Sequence, residues 1–234
     1  MGHVDWERIR RNSLARWSNG LTEQQNAAGE ALREFGSDPE RGISSSPSIK
    51  TWMPQVLADP TWQSPIPWLP AGFWPYEFQA RAFARLSVAK QLPRPTAIAA
   101  PEGSGKSDCF LLPILDHCAR QQGMSRSGVK AVIVYASRAA AQENAARLGS
   151  LCSSVDQFQN LRPALLIDDF GSTPHVGPGH VVDSIDAMGD SPPDLLLTVP
   201  EMLERSINTK RHHRLWRETT PVSLRFVVLD DLHF

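Results

Sequence analysis

Several features that would place a protein in a special class are missing from this sequence of 234 residues. Basic residues are not in excess, because 24 lysines and arginines face 25 acidic residues and leave a net charge of −1. A global positive field that attracts nucleic acid is therefore excluded, and any such contact has to be local. No apolar run approaches the roughly 18 residues of a membrane-spanning helix, and the polar start MGHVDWERIRRNS does not suit a signal peptide. We expect a cytoplasmic protein with no membrane contact.

The sequence has few cysteines, and their spacing shows no pairs. Cys109, Cys118 and Cys152 are the only three, and none forms the CxxC spacing of a zinc site. An odd number without such spacing argues against a disulfide framework, so we interpret all three as ordinary buried thiols. With 41% hydrophobic and 21% charged residues, the composition is that of a globular protein that can bury a core.

The composition changes near residue 74, which predicts two parts. Residues 1–73 contain two helical patterns and then a stretch rich in turns and proline, so we expect a helical and irregular extension of unknown function. Tryptophans among prolines could form a stacking platform for bases or a peptide-binding surface. More commonly they dock an extension onto its own domain, and we favour that interpretation. The first 74 residues hold six of the seven tryptophans: Trp6, Trp17, Trp52, Trp62, Trp68 and Trp74.

Residues 74–234 have the pattern of an α/β domain. Short apolar runs at residues 96–100, 131–137, 164–168, 194–198 and 226–230 predict buried strands, and helical segments lie between most of them. This alternation predicts a mostly parallel sheet with right-handed crossovers. Residues 171–193 are rich in glycine, proline, aspartate and serine, and we expect an irregular, exposed excursion there.

The segment APEGSGKS at residues 100–107 has the composition of a phosphate-binding loop. Small residues let backbone N–H groups wrap phosphates, a lysine reaches the β- and γ-phosphates, and a hydroxyl binds Mg²⁺. A predicted strand precedes the segment and a helix follows it, so the helix N-terminus faces the anion. This context favours a nucleoside triphosphate site over a flexible turn. The residues concerned are Ala100, where the general pattern has glycine, then Gly103, Ser104, Gly105, Lys106 and Ser107.

A second acidic element follows at the end of the last predicted strand. The run RFVVLDDLHF places Asp230 and Asp231 at the carboxyl end of that strand, where open parallel sheets bind ligands. Asp230 suits an Mg²⁺ site and Asp231 suits the orientation of the attacking water. We predict that both act together with Lys106, Asp231 and Lys106 being the catalytic candidates.

These segments together resemble the first, ATP-binding RecA-like domain of DEAD/DEAH-box helicases of superfamily two. The loop followed by DCFLLPIL is similar to motif I, and DDLH is similar to the D-E-x-H box. The segment VIVYASRAAAQENAARL resembles motif Ia, PDLLLTVPEMLE resembles motif Ib, and WPYEFQARAF resembles the Q motif. The five elements occur in the family's order across residues 74–234.

The resemblance implies roles for residues outside the loop. Gln79 would select adenine, so that ATP with Mg²⁺ is expected rather than GTP, and His233 would lie near the nucleotide. Ser137, Arg138 and Thr198 match positions that hold the backbone of single-stranded DNA or RNA, a contact that reads no sequence. Taken alone, Arg138 would suit a solvated charge at a helix start, and the two readings are evenly balanced.

Two departures from the family pattern leave catalysis open. Asp231 stands where the family has a glutamate, and misplacement of a reacting group by about 1 Å can cost on the order of 100-fold in rate. The family also continues beyond the equivalent of Phe234 into a further central strand and a second RecA-like domain. We therefore expect an incomplete sheet, a partner in a second domain or a continuation, and no unwinding by this segment alone. A non-catalytic nucleotide-binding scaffold, or another P-loop ATPase or phosphoryl-transfer enzyme, remain as alternatives.

Overall fold

A computed structural model of the chain describes residues 43–44, 58–69, 73–89, 91–100, 104–124, 127–168 and 181–230. The strands are β1 (Ile43–Ser44), β2 (Ile98–Ala99), β3 (Ala131–Tyr135), β4 (Pro163–Leu166), β5 (Leu195–Thr198) and β6 (Phe226–Asp230). The α-helices are α1 (Glu77–Leu86), α2 (Asp108–Gly123), α3 (Arg138–Ser154), α4 (Ile185–Asp190), α5 (Pro200–Asn208) and α6 (His213–Trp216). Short 3₁₀ segments occur at Asp156–Phe158 and Lys210–His212.

Four strands form one parallel sheet in the order β4-β5-β3-β6. In this sheet Val134 of β3 lies opposite Thr198 of β5, and Tyr135 of β3 lies opposite Asp230 of β6. Helices connect the strands along the chain, as parallel pairing requires. The predicted α/β fold with a parallel sheet is therefore confirmed, and it is consistent with a RecA-like domain.

The strand before the phosphate loop lies apart from this sheet. β2 pairs in parallel with β1, with Ile43 opposite Ile98, and β1 belongs to the region predicted as an extension. Among the described residues no strand joins β2 to β6. Within the part of the chain that the structure describes, β6 is the last strand of its sheet on that side.

The core lies between the sheet and the helices packed against it. Helix α2 is buried on nearly all sides from Phe110 onward, and Ile114 and Leu115 are among its buried residues. The strand residues Ile133 and Leu196 are almost completely buried as well. A helix that is apolar on all sides needs cover on all sides, which explains why α2 is central in the domain. None of the helices in the described ranges has the length and apolar character that crossing a membrane would require.

Tryptophans of the proline-rich stretch pack onto the domain. Ile66 and Phe83 belong to one buried cluster, and Trp62 packs against it with its ring 6.3 Å from that of Phe83. Trp68 meets Phe158 edge to face at 4.7 Å. For these two tryptophans the docking interpretation is confirmed, whereas the boundary at residue 73 stays a prediction. Trp74 is half exposed and donates to the carbonyl of Ala58, and Trp6, Trp17 and Trp52 lie outside the described residues.

The expectation of an irregular excursion at residues 171–193 is wrong for its second half. Helix α4 forms there, with Ser184 as its N-cap accepting a hydrogen bond from the backbone N–H of Ala187. Ile185 and Met188 lie three residues apart on one face and are buried. A cap and one apolar face were enough to form a helix in a segment whose composition favours turns.

Candidate functional site

The phosphate loop leads directly into helix α2. Of the predicted loop, Ala100 and residues 104–107 are described, and Gly103 lies outside the described residues. Gly105 has a φ of +82°, a left-handed conformation that side chains with a Cβ avoid. Helix α2 begins one residue after Ser107, so its N-terminus follows the loop without a break. A tight turn at glycine before a helix N-terminus is the arrangement that binds phosphate.

Lys106 and Ser107 are both half-buried, and Ser104 is buried. These residues fit a triphosphate and its metal, because the loop joins a lysine, a hydroxyl and a helix N-terminus within one turn. No group of three or more potential metal ligands among His, Cys, Asp and Glu occurs in the described ranges.

The carbonyl of Gly105 connects the loop to helix α1. It accepts hydrogen bonds from the side-chain amide of Gln79 at 3.2 Å and from the backbone N–H of Asp108 at 3.2 Å. The other end of the Gln79 amide, Oε1, accepts from the backbone N–H of Tyr76 at 3.0 Å and so caps helix α1. A Cβ at Gly105 would lie 2.6 Å from Nε2 of Gln79. The predicted adenine-reading glutamine is thus held against the phosphate loop.

Both atoms of the Gln79 amide retain capacity for a ligand. An amide carries two N–H donors and two lone pairs on oxygen, and the contacts described use one of each. The residue is buried, with 6% of its surface exposed. The hydrogen bonds to Gly105 and Tyr76 fix the orientation of the Gln79 amide before a base binds.

The acidic end of β6 lies at the same edge of the sheet as the end of β3. Asp230 is the last residue of β6, is buried, and pairs in register with Tyr135. Burial raises the pKa of the Tyr135 hydroxyl well above its ordinary value, the negative charge of Asp230 raises it further, and Arg147 opposes that effect. Asp230 is therefore close enough to act electrostatically on β3. Asp231 and His233 lie outside the described residues.

An ion pair beside the loop was missed by sequence reasoning. Nη2 of Arg147, on helix α3, lies 2.5 Å from Oδ1 of Asp108, the first residue of helix α2. The two residues are separated by 38 others, so no local pattern could have linked them. The only sequence signal was an aspartate immediately after the lysine and serine of the phosphate loop.

The residues predicted to bind the backbone of single-stranded nucleic acid differ in their exposure to solvent. Ser137 and Arg138 are exposed at the start of helix α3, and the Ser137 hydroxyl accepts from the backbone N–H of Ala140 as the N-cap. Thr198 is completely buried, and its hydroxyl donates to the carbonyl of Leu166 at 2.7 Å. Ser137 and Thr198 follow or end adjacent parallel strands, so they occupy the same edge of the sheet. Thr198 could contact a ligand only after a change in structure that exposes its side chain.

Comparison with known proteins gives the family. A family model described as DEAD/DEAH box helicase matches residues 76–234, which is more than half of the chain. A search of curated proteins found no match. This family uses ATP with Mg²⁺ and binds nucleic acid, and its model spans α1, the phosphate loop, the four-stranded sheet and the acidic end of β6. The chain therefore belongs to the DEAD/DEAH box helicase family, as an ATP-binding helicase module.

Proposed function

We propose that residues 74–234 form a RecA-like domain that binds Mg²⁺–ATP and holds one strand of nucleic acid by its backbone. The observation that carries this proposal is the hydrogen bond from Gln79 to Gly105. It joins the residue expected to read the base to the loop expected to hold the phosphates. A single nucleotide could therefore contact both elements.

The parts of the nucleotide divide among different elements. Gln79 would present one N–H to N7 and one lone pair to the N6 amino group of adenine, where guanine offers two acceptors instead. Lys106 and the loop around Gly105 would bind the phosphates, while Ser107 and Asp230 would hold the magnesium. When bound, Mg²⁺ would neutralise phosphate charge as the γ-phosphate leaves. His233, by family resemblance, would connect this end of the site to helix α1.

Hydrolysis by this site would be slow because of Asp231. A carboxylate on a side chain one methylene shorter than glutamate would stand back from the attacking water, and such displacements can cost on the order of 100-fold in rate. We propose that residues 1–234 alone bind ATP with poor turnover and do not unwind a duplex. Unwinding in this family depends on two RecA-like domains that close on one strand.

Contact with the nucleic-acid strand would occur at the edge of the sheet where β3 and β5 end. Ser137 and Arg138 are exposed there and could bind phosphate and sugar, which would make binding independent of sequence. Single-stranded DNA and RNA both offer these groups. The near-neutral charge of the chain is compatible with this mode, since only a few local donors are needed.

Nucleotide binding provides the test. Labelled ATP should bind the parent chain more tightly than labelled GTP in the presence of Mg²⁺. Gln79→Ala should remove that preference, while Lys106→Ala should abolish binding of both nucleotides. Gln79→Glu is the matched control, because it keeps the oxygen that caps helix α1 and loses the amide donor.

The outcomes separate base reading from helix capping. If Gln79→Glu still prefers ATP and only Gln79→Ala loses affinity, the residue acts by capping the helix and not by reading the base. Equal affinity of the parent for ATP and GTP would refute the adenine assignment. Wild-type affinity in Lys106→Ala would refute the phosphate-loop assignment.

A second candidate is a nucleotide-binding scaffold without catalysis, which the aspartate at position 231 favours. The two candidates share binding and differ in turnover. Phosphate release that single-stranded nucleic acid stimulates, and that Lys106→Ala removes, would exclude the scaffold. Binding of ATP with no release under any condition would favour it.

A further inference from the structure

The ion pair between Asp108 and Arg147 lies at the entrance of helix α2. Nη2 of Arg147 is 2.5 Å from Oδ1 of Asp108, and the exposed fractions of the two side chains are 53% and 29%. The contact joins helix α3 to the first turn of helix α2. It is therefore a link between two helices at the point where the phosphate loop ends.

The carboxylate of Asp108 lies against the phosphate loop itself. Its second oxygen, Oδ2, is 3.7 Å from the position that a Cβ of Gly105 would occupy. Its backbone N–H donates to the carbonyl of the same glycine. A negative charge at this distance from the loop opposes the binding of a triphosphate, which brings several negative charges to the same turn.

Helix stability accounts for an acidic residue at this position. A carboxylate in the first turn of a helix interacts favourably with the positive end of the helix dipole. The same dipole would attract the phosphates, so Asp108 and the nucleotide compete for one electrostatic environment. A nearby cation resolves this competition if it pairs with the carboxylate.

Arg147 acts on residues of two neighbouring elements, helix α2 and strand β3. Its guanidinium contacts Asp108 on one side, and its charge also acts on Tyr135, which lies opposite Asp230 in the sheet. Arg147 therefore pairs with the carboxylate beside the loop and also acts on the end of β3. Lys106 is the cation of the loop, and Arg147 is a second one supplied by another helix.

We propose that Arg147 is a positioning residue for nucleotide binding, which neutralises Asp108 and holds its carboxylate away from the phosphates. This inference rests on the proposed function of the phosphate loop. A positioning role of Arg147 and a purely structural role of the ion pair predict different effects of removing each partner. Loss of Arg147 harms nucleotide binding, whereas loss of Asp108 does not.

The experiment compares four variants of the full chain in titrations with a fluorescent ATP analogue and Mg²⁺. Arg147→Ala should weaken binding on the order of tenfold, since an unpaired carboxylate then faces the phosphates. Arg147→Lys should retain most of the affinity. Asp108→Asn should bind as tightly as the parent or more tightly, and the double variant Asp108→Asn, Arg147→Ala should return to about the parent affinity.

Salt and a matched control sharpen the comparison. Raising NaCl should reduce the defect of Arg147→Ala, because the repulsion is electrostatic and partly exposed. Arg211→Ala is the control, because it removes an exposed ion pair of similar geometry, 3.0 Å from Asp186. That variant should bind the nucleotide like the parent and should match Arg147→Ala in thermal unfolding.

Each outcome decides one proposal. Equal loss of affinity in Asp108→Asn and Arg147→Ala would show that the ion pair only supports the structure, and unchanged affinity in Arg147→Ala would also overturn the inference. A double variant as weak as Arg147→Ala would exclude neutralisation of Asp108 as the mechanism. If the parent itself does not bind the analogue, the proposed function fails and this inference fails with it.

Discussion

Replacement of Asp194 should destabilise the domain more than any other single change of charge that we consider. Asp194 precedes β5, and its Oδ1 accepts from Nζ of Lys130 at 2.5 Å, with both side chains buried. Its Oδ2 accepts from the backbone N–H of Arg162 at 2.8 Å and from the side chain of Gln122 at 3.1 Å. The carboxylate thus joins the start of β3, the residue before β4 and the end of helix α2.

The magnitude follows from the burial of the pair. Asp194→Asn keeps the shape of the side chain but leaves the ammonium of Lys130 buried without its counter-charge, and breaking a buried pair in this way costs about 3–5 kcal/mol. Weaker hydrogen bonds from the Asp194 partners add to this cost. Because domains are stable by only about 5–15 kcal/mol, the variant should be close to unfolding at 25 °C.

Urea denaturation followed by circular dichroism measures this effect. Lys130→Met removes the charge and should cost less than Asp194→Asn, since the carboxylate keeps its bonds to Arg162 and Gln122. The double variant should be more stable than Asp194→Asn alone. Asp186→Asn, which breaks an exposed ion pair, is the control and should change stability by about 0–1 kcal/mol.

Two results would refute this reasoning. One is a loss of stability in Asp194→Asn no larger than that in Asp186→Asn. The other is a double variant with Lys130→Met that is no more stable than Asp194→Asn alone. Either would mean that the buried charges do not depend on each other. If Asp194→Asn cannot be purified in a folded form, the stability of the double variant is compared with that of Lys130→Met instead. A folded double variant would then show that removal of the Lys130 charge restores stability.

Three further predictions concern the loop, the thiols and the acidic end. Gly105→Ala should weaken ATP binding and lower stability by about 1–2 kcal/mol, because φ is +82° and the new Cβ would displace the Gln79 amide; wild-type affinity and melting temperature would contradict this. Burial raises the pKa of Cys109 to about 12 and that of Cys152 to about 11, so above pH 9 the unfolded chain loses thiol protons that the native chain keeps. The contribution of these thiols to the free energy of unfolding should therefore be constant below pH 8. Between pH 9 and 11 the free energy of unfolding should fall by about 1.4 kcal/mol per pH unit for each thiol, a slope that alanine at both positions should reduce and that a flat profile would contradict. Asp231→Glu should raise phosphate release by on the order of 10- to 100-fold in an assay with single-stranded nucleic acid, and no change would show that the shorter side chain does not limit the rate.

The strands could be predicted from the sequence because each one is a short, continuous apolar run. The last run was predicted at residues 226–230, and β6 spans Phe226–Asp230. The run at residues 131–137 was predicted two residues too long, since β3 ends at Tyr135 and Ser137 caps the next helix. Apolar character locates a strand, whereas its end depends on where the backbone leaves the ladder.

Relationships between distant residues could not be predicted in this way. The pairing of β1 with β2 joins residues more than fifty positions apart, and β1 is only two residues long. The contact of Arg147 with Asp108 joins two helices whose own patterns show no sign of it. Thr198 was predicted as a strand-binding residue from its motif, yet its burial follows from the packing of β5 between β3 and β4. Motifs give residue types and order, and packing decides which atoms remain accessible.

The outer face of β6 shows the limit of the apolar pattern most directly. The continuous run from Phe226 to Leu229 predicted a strand covered on both faces. In the structure Phe226 and Asp230 are buried, while Val227 and Leu229 are 43% and 54% exposed. Residues alternate between the faces of a strand, so the described part of the chain covers one face of β6 and leaves the other accessible. An apolar side chain indicates that burial is favourable at its position, but the segment that provides the cover has to come from elsewhere in the fold.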